Sequence, residues 1–256
     1  MTPKRIVCLT EEYVEFLYLL GEEDRIVGIS SYVKRPSNAI KEKPIVSSFV
    51  KVNVEKINQL KPDLILGFSD LQAEVAKELI QNHHHVFIAN PRSIEDIFQI
   101  LYWLGLLIDQ KEKTETLIQR WKNKLEFYAQ EAKKFPTKHK VFFMEWDEPI
   151  ISGITWVEEL LEILNTQPLF PELKTKKSAK ERIVPKEEIL ARNPDVIINC
   201  WCGKKTNFDW VKENFSSTNA VKNQRIYEIE PEVILQPGPA LFEEGVDKLF
   251  ELIYKN

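Results

Sequence analysis

One stretch limits what this chain can fold into more than any other: residues 109–135, DQKEKTETLIQRWKNKLEFYAQEAKKF, which hold neither Pro nor Gly. Apolar residues fall at Leu117, Trp121, Leu125, Tyr128, Ala132 and Phe135, in steps of three or four. That spacing makes one stripe along an α-helix. Asp109 with Glu112 three residues on reads as an N-cap and its reciprocal acid, and Pro136 stops the helix. At about 1.5 Å per residue it is roughly 40 Å long, the width of a small domain. Its other positions are crowded with Lys, Glu and Gln, so most of its surface is wet. Such a helix is either the outer helix of one globule or a strut joining two lobes.

The flanking sequence favours the strut. Before it, short apolar runs at 5–9, 26–30, 64–67 and 86–89 read as strands. They alternate with helical patterns at 11–20 (closed by Gly21), 54–60, 71–81 and 93–104, the last with Ser93 and Asp96 as cap and acid. A loop, SSYVKRP, follows the second run. After the strut the pattern restarts, with strands at 140–145, 196–199 and 225–229 and helices at 155–164, 186–191, 207–214 and 239–254. Alternation of this kind predicts α/β structure with mostly parallel sheets. The halves also share a repeat: EKINQLKPDLIL at 55–66 matches EEILARNPDVII at 187–198. In each, a helix ends at a Pro-Asp turn that feeds a strand buried on both faces. The expectation is two Rossmann-like lobes, 1–108 and 136–256, joined by one long rigid helix at 109–135.

Composition excludes several classes. With 43% hydrophobic and 29% charged residues the chain can bury a real core. A net charge of −4 offers no bulk attraction for nucleic acid. No run of eighteen apolar residues occurs, so no membrane-spanning helix is expected. Three Cys make no disulfide framework. Cys200 and Cys202 would point the same way on a strand, but no second Cys/His cluster accompanies them as a metal site would require. Residues 1–5 lead straight into the first strand, with no apolar signal core and no lipid-attachment Cys before it. The reading is a cytoplasmic protein if Met1 is the native start, or a processed or trimmed exported one.

In two-lobed α/β proteins ligands sit past the carboxyl ends of the strands, where the lobes face each other. The places concerned are 10–13, 31–32, 68–69, 90–91, 146–147, 201–202 and 230–236. They carry Tyr32, Phe68, Trp146 and Trp201, aromatic planes that suit a large, flat, partly apolar ligand. Each ring taken singly also fits core packing. Catalytic patterns are poor, with no GxSxG, no glycine-rich phosphate loop and no HExxH. The triplet His83, His84 and His85 reads as a solvated turn, with weak metal binding as the other reading. Asp147 and Glu148 read as a solvated turn rather than an acid/base pair, and the basic run 174–182 as an exposed loop.

With these motifs the chain resembles the substrate-binding proteins of cobalamin and ferric-siderophore ABC importers, the class III, helical-backbone periplasmic binding proteins. The resemblance covers nearly the whole chain. It rests on RIVCL (5–9), VGISSY (27–32), LKPDLIL (60–66) and PKEEILARNPDVI (185–197). EWDEP (145–149), SGITWVEEL (152–160), CG (202–203) and QPGP (236–239) are similar to the cobalamin-binding branch.

The resemblance implies a non-enzymatic, monomeric protein outside the cytoplasm, with no cofactor and no metal of its own. It would capture cobalamin or another corrinoid between its lobes and deliver it to an importer permease. Tyr32 and Phe68 would line one side, and Trp146, Trp156, Trp201, Cys202, Glu230 and Gln236 the other. Glu74 and Glu187, one acid per lobe, would dock onto the permease through charge-assisted hydrogen bonds. The chain departs from the branch at Gln236 and Ala240, where Arg is usual, and around Arg182, where a Trp packs on the corrinoid. Losing two cations is expected to weaken recognition of a negatively charged ligand. A ferric-siderophore or haem binder, and a cytoplasmic enzyme, redox protein or sensor on the same scaffold with Cys200 and Cys202 as its chemistry, are the alternatives.

Overall fold

The structure, a computed structural model, describes residues 2–255. The chain divides into two compact units. The first comprises Met1–Pro91, Glu95–Gln119 and Gln236–Pro239, and the second Arg92–Ile94, Arg120–Leu235 and Ala240–Asn256.

The first unit holds a five-stranded sheet in the order β3-β2-β1-β4-β5. Its strands are β1 (Ile6–Cys8), β2 (Ile26–Ser30), β3 (Ile45–Ser47), β4 (Leu64–Phe68) and β5 (Val86–Ala89), and every pairing is parallel. Val7, Leu9, Val46, Ile57, Ile65, Val75 and Leu79 pack into one core cluster. The continuous apolar runs of β1 and β4 follow from burial on both faces.

In the second unit the order is β10-β9-β6-β7, with β8 also paired to β6. The strands are β6 (Lys140–Asp147), β7 (Ile150–Ser152), β8 (Gln167–Pro168), β9 (Val196–Asn199) and β10 (Ile226–Glu228). Among the described strands of this unit only β7 runs antiparallel, folding back on β6 as a hairpin. Strands β3, β7 and β8 escape a periodicity reading because they are two or three residues long and carry too few alternations to show a period.

The repeated Pro-Asp turns do the same work in both units. Each preceding helix ends on a left-handed residue, Lys61 (φ 46°) in one and Asn193 (φ 51°) in the other. Asp63 then donates its N–H to the Arg5 carbonyl (2.7 Å) and accepts from the N–H groups of Lys4 (2.7 Å) and Arg5 (2.9 Å) through its carboxylate. Asp195 donates to the Lys140 carbonyl (2.8 Å) and accepts from the Lys140 N–H (2.9 Å). In both cases the aspartate ties the incoming strand to the start of its central neighbour, β1 or β6.

The long helix spans Lys111–Ala132, and its residues divide between the units after Gln119. Its stripe is buried as the spacing predicts at Trp121, Leu125 and Ala132. The stripe reaches one step further back, to Thr114: a Cβ on Gly105 would lie 2.7 Å from the Thr114 Cβ, so glycine lets the two helices touch there. The start corrects the expectation from sequence. Asp109 is no N-cap; it sits at φ 62° as the left-handed residue that closes the preceding helix, Ile94–Leu107. Its N–H bonds to the Leu106 carbonyl (3.2 Å) and the Gln110 N–H to that of Gly105 (2.7 Å), a Schellman ending. The helix also stops before Phe135, whose ring instead stacks on Tyr254 at 4.5 Å.

Candidate functional site

Each sheet has a point where the strand order reverses, the place where open α/β sheets bind ligands. In the first unit it lies between β1 and β4. The helix Glu11–Leu20 begins just after β1, and its first turns carry three buried acids, Glu11, Glu12 and Glu15. Glu11 accepts hydrogen bonds from the backbone N–H groups of Lys34 (2.7 Å) and Arg35 (2.5 Å), and Glu15 pairs with the Arg35 guanidinium (3.0 Å). These contacts anchor the loop after β2 that presents Tyr32, which is 62% exposed. Glu12 accepts from the Thr10 hydroxyl (2.6 Å), and burial pushes its carboxyl up to about 7. A Cβ on Gly238 would lie 2.4 Å from the Glu12 Cβ, so glycine lets the segment Gln236–Pro239 rest on this turn. Gln236 itself is half-buried.

Phe68 ends β4, half-buried. The turn beyond it is unusual. Ser69 sits at φ 72°, and Gln72, fully buried, accepts from the Phe68 N–H (3.0 Å) and donates to the Phe49 carbonyl (2.7 Å). Gly67 makes room for it, since a Cβ there would lie 2.4 Å from the Gln72 amide oxygen.

The reversal in the second unit lies between β6 and β9. Trp146 and Asp147 end β6, and Trp201 and Cys202 follow β9. Lys204 joins them, with its ammonium 2.7 and 2.8 Å from the two Asp147 oxygens. It also lies 4.3 Å from the Trp146 ring centre and 5.0 Å from that of Trp201. Nearby, Arg182 is buried, paired with both carboxylate oxygens of Glu145 (2.5 and 3.2 Å) and bonded to the Ser152 carbonyl. Glu158 lies buried beside it. Its burial outweighs the pull of Arg182 and pushes the carboxyl up to about 8.

Several sequence expectations meet corrections here. Trp156 is 1% exposed and donates its indole N–H to the Ile234 carbonyl (3.0 Å), so its ring belongs to the core. Trp201 keeps its place past β9, 2% exposed with the Lys204 ammonium over its ring. Cys200 and Cys202 do not share a face, because β9 ends at Asn199; Cys200 is buried, with burial holding its thiol well above the ordinary value, while Cys202 is exposed. Asp147 is buried against Lys204 rather than solvated, whereas Glu148 is exposed. In the basic run, Arg182 turns inward while Lys176, Lys177 and Lys180 face solvent.

Glu230 is exposed and paired with Lys248 (2.8 Å), which holds its carboxyl below the ordinary range. The histidines form a turn with His83 at φ 64° and the His84 ring 2.7 Å from the Asn58 amide oxygen. Among the described residues no three His, Cys, Asp or Glu side chains are grouped to hold a metal, and no helix is long and apolar enough to cross a membrane. Glu74 and Glu187 each stand exposed in the first turn of a helix, Ala73–Gln81 and Lys186–Arg192. Glu74 pairs with the exposed Lys77 ammonium at 3.2 Å.

Sequence reasoning missed Lys204 and Glu15, and named the stretch 10–13 without singling out Glu11 and Glu12. The acids had a signal: EEYVEF places three carboxylates in a helix start otherwise made of core residues. Lys204 had none, since a lysine in a polar loop looks like any other.

Residues 6–233 match the model of the periplasmic binding protein family. The chain is 28% identical to YvrC of Bacillus subtilis, described as an uncharacterised ABC-transporter substrate-binding lipoprotein, over 98% of this chain and 80% of that protein. It is 24% identical to the vitamin B12-binding protein of Vibrio vulnificus, over 92% of this chain and 85% of that one. Among solved structures, a possible iron-binding solute-binding protein of Staphylococcus epidermidis superposes with a TM-score of 0.84 at 28% identity, covering 99% of this chain and all of that one. The two parallel-dominated sheets, the long shared helix and a family match spanning nearly the whole sequence together place this chain in the periplasmic binding protein family, whose members serve as substrate-binding proteins of ABC importers.

Proposed function

We propose that this chain captures cobalamin or another corrinoid and hands it to an ABC importer. The observation that carries the reading is the set of large rings at the carboxyl ends of the strands: Tyr32 after β2 and Phe68 at the end of β4 in the first unit, Trp146 near the end of β6 in the second. Such rings offer broad apolar faces to a macrocycle. The likeness to a vitamin B12-binding protein supports the choice of ligand. Gln236, Cys202 and Glu230 contribute polar contacts in this reading, and Trp201 its neighbouring wall. Glu74 and Glu187 are the permease contacts, since each is exposed and can offer its carboxylate to charge-assisted hydrogen bonds with cationic partners. In this reading the protein acts as a monomer, and outside the cytoplasm, a location that the likeness to a substrate-binding lipoprotein supports.

A second reading, a ferric-siderophore or haem carrier, is favoured by one feature. The Tyr32 side chain is largely exposed, and a phenol oxygen suits iron. The likeness to a possible iron-binding protein points the same way.

Calorimetric titration of the purified protein with cyanocobalamin, haemin and a ferric catecholate separates the two. Micromolar or tighter binding of cyanocobalamin, weakened in Phe68→Ala and Trp146→Ala, bears out the corrinoid reading. Heat from haemin or the catecholate alone, lost in Tyr32→Phe, transfers the assignment to iron. No heat from any of them with folded protein overturns both.

A further inference from the structure

The group around Lys204 has a chemistry of its own. Three side chains form its walls, and each is held by contacts that do not involve Lys204. The Trp146 indole N–H donates to the Glu148 carbonyl (2.9 Å). Trp201 is packed edge-on against Trp210, ring centres 6.0 Å apart. Asp147 is buried and accepts from the Glu148 N–H (3.0 Å). Two indole faces, negative by their quadrupoles, and one carboxylate thus converge on a point that the fold prepares in advance.

The occupant of that point is less fixed than its walls. Lys204 arrives on a loop whose residues 202–205 are all exposed and which turns through Gly203 at φ 81°. Its side chain is 42% exposed. Trp201 supplies a further sign: its buried indole N–H has no acceptor. A buried donor left unmet is uncommon and calls for an explanation.

We propose that Trp146, Trp201 and Asp147 form a cage for an organic cation, an ammonium or guanidinium group on a small molecule other than the corrinoid, and that Lys204 fills this cage from within until that cation displaces it. The polarity of the site argues for a cation over an anion. Lys204 is already matched by both Asp147 oxygens, so an anion would meet a neutral pair and two electron-rich ring faces. A cation that replaces the lysine keeps the carboxylate contact and both cation–π contacts. The proposal uses the functional reading above only to place the cage on the ligand side of the second unit.

Two probes test it, tetramethylammonium chloride and methylguanidinium chloride, each titrated at constant ionic strength against sodium chloride. The readout is the indole N–H resonances of Trp146 and Trp201, with circular dichroism confirming folding of every variant. A tethered lysine competes at an effective concentration in the millimolar range. Lys204→Ala is therefore expected to bind the probes about tenfold more tightly than the natural chain, and the double variant Lys204→Ala/Asp147→Asn to lose that binding. Should the double variant not fold, Lys204→Ala/Trp146→Ala is expected to bind several-fold more weakly than Lys204→Ala alone. Indole resonances in Lys204→Ala that respond to the probes no more than to sodium chloride overturn the proposal, and so does equal affinity with and without Lys204. Cyanocobalamin and haemin test the ligand assignment and these small cations test the cage, so either can fail alone.

Discussion

Glu158→Gln is expected to stabilise this protein, and by an amount that depends on pH. Glu158 lies in the helix Thr155–Ile163, buried, with the Gly153 N–H bonded to its carboxyl. A Cβ on Gly153 would lie 2.2 Å from the carboxyl oxygen, so the contact exists only because that residue is glycine. Burial pushes the group up from 4.5 to about 8, against the opposing pull of Arg182. Between those values the folded chain holds a proton that the unfolded chain has released. Stability therefore falls as pH rises through this window, is free of the penalty below it, and carries the whole penalty above it. Each pH unit is worth about 1.4 kcal/mol, so the ceiling is on the order of 5 kcal/mol. Glutamine cannot ionise and keeps a carbonyl oxygen for the Gly153 N–H. Urea unfolding of both proteins at intervals from about pH 4 to about pH 9 reads the effect. The advantage of the variant should grow with pH across the window and level off near its upper end. Glu12 titrates with the same sign, but it is present in both chains and cancels in the difference. A difference that stays flat from acid to alkaline pH refutes the reasoning.

Two further outcomes follow from the geometry. Asp195→Ala removes acceptors from the Lys140 N–H (2.9 Å) and the Asn219 amide (3.0 Å) at a half-buried turn; it should cost about 2–3 kcal/mol, while Asp63→Ala, at the exposed equivalent turn, should cost about 1 kcal/mol. Urea midpoints check the order, and a larger loss at Asp63 contradicts it. Glu74→Ala and Glu187→Ala should each change stability by less than about 0.5 kcal/mol and leave ligand affinity intact while abolishing importer-dependent uptake; unimpaired uptake in cells removes both from the permease contact.

The features legible in the sequence and those hidden from it differ in the range of the forces that decide them. Local signals were sufficient wherever an element is decided by its own residues. The stripe through Trp121, Leu125 and Ala132 announced the long helix because a 3.6-residue period appears only when one face is buried. The apolar runs of β2 and β9 marked strands covered on both faces, and that of β5 a half-buried edge strand. The two Pro-Asp turns disclosed the duplication, because proline ends a helix and the following aspartate anchors a strand in each unit.

Tertiary structure decided what depends on partners distant in sequence. Asp109 has the chemistry of an N-cap and of a left-handed helix ending; the Gly105 and Leu106 carbonyls behind it selected the second role. Trp156 and Trp146 are the same residue type ten positions apart, yet one donates to Ile234 in the core and the other faces Lys204 at a strand end. Nothing in the local sequence marks Lys204, because its meaning comes from Asp147 and Trp146, nearly sixty residues earlier. The amino-acid sequence therefore determined which segments are helices and strands and that the fold is built twice, since these follow from periodicity and from turns a few residues long. Which aromatic rings pack inward, which carboxyls are forced to hold protons and which charges meet at the strand ends were settled by the packing of segments far apart in the chain, where burial and pairing energies exist only once those segments are in contact.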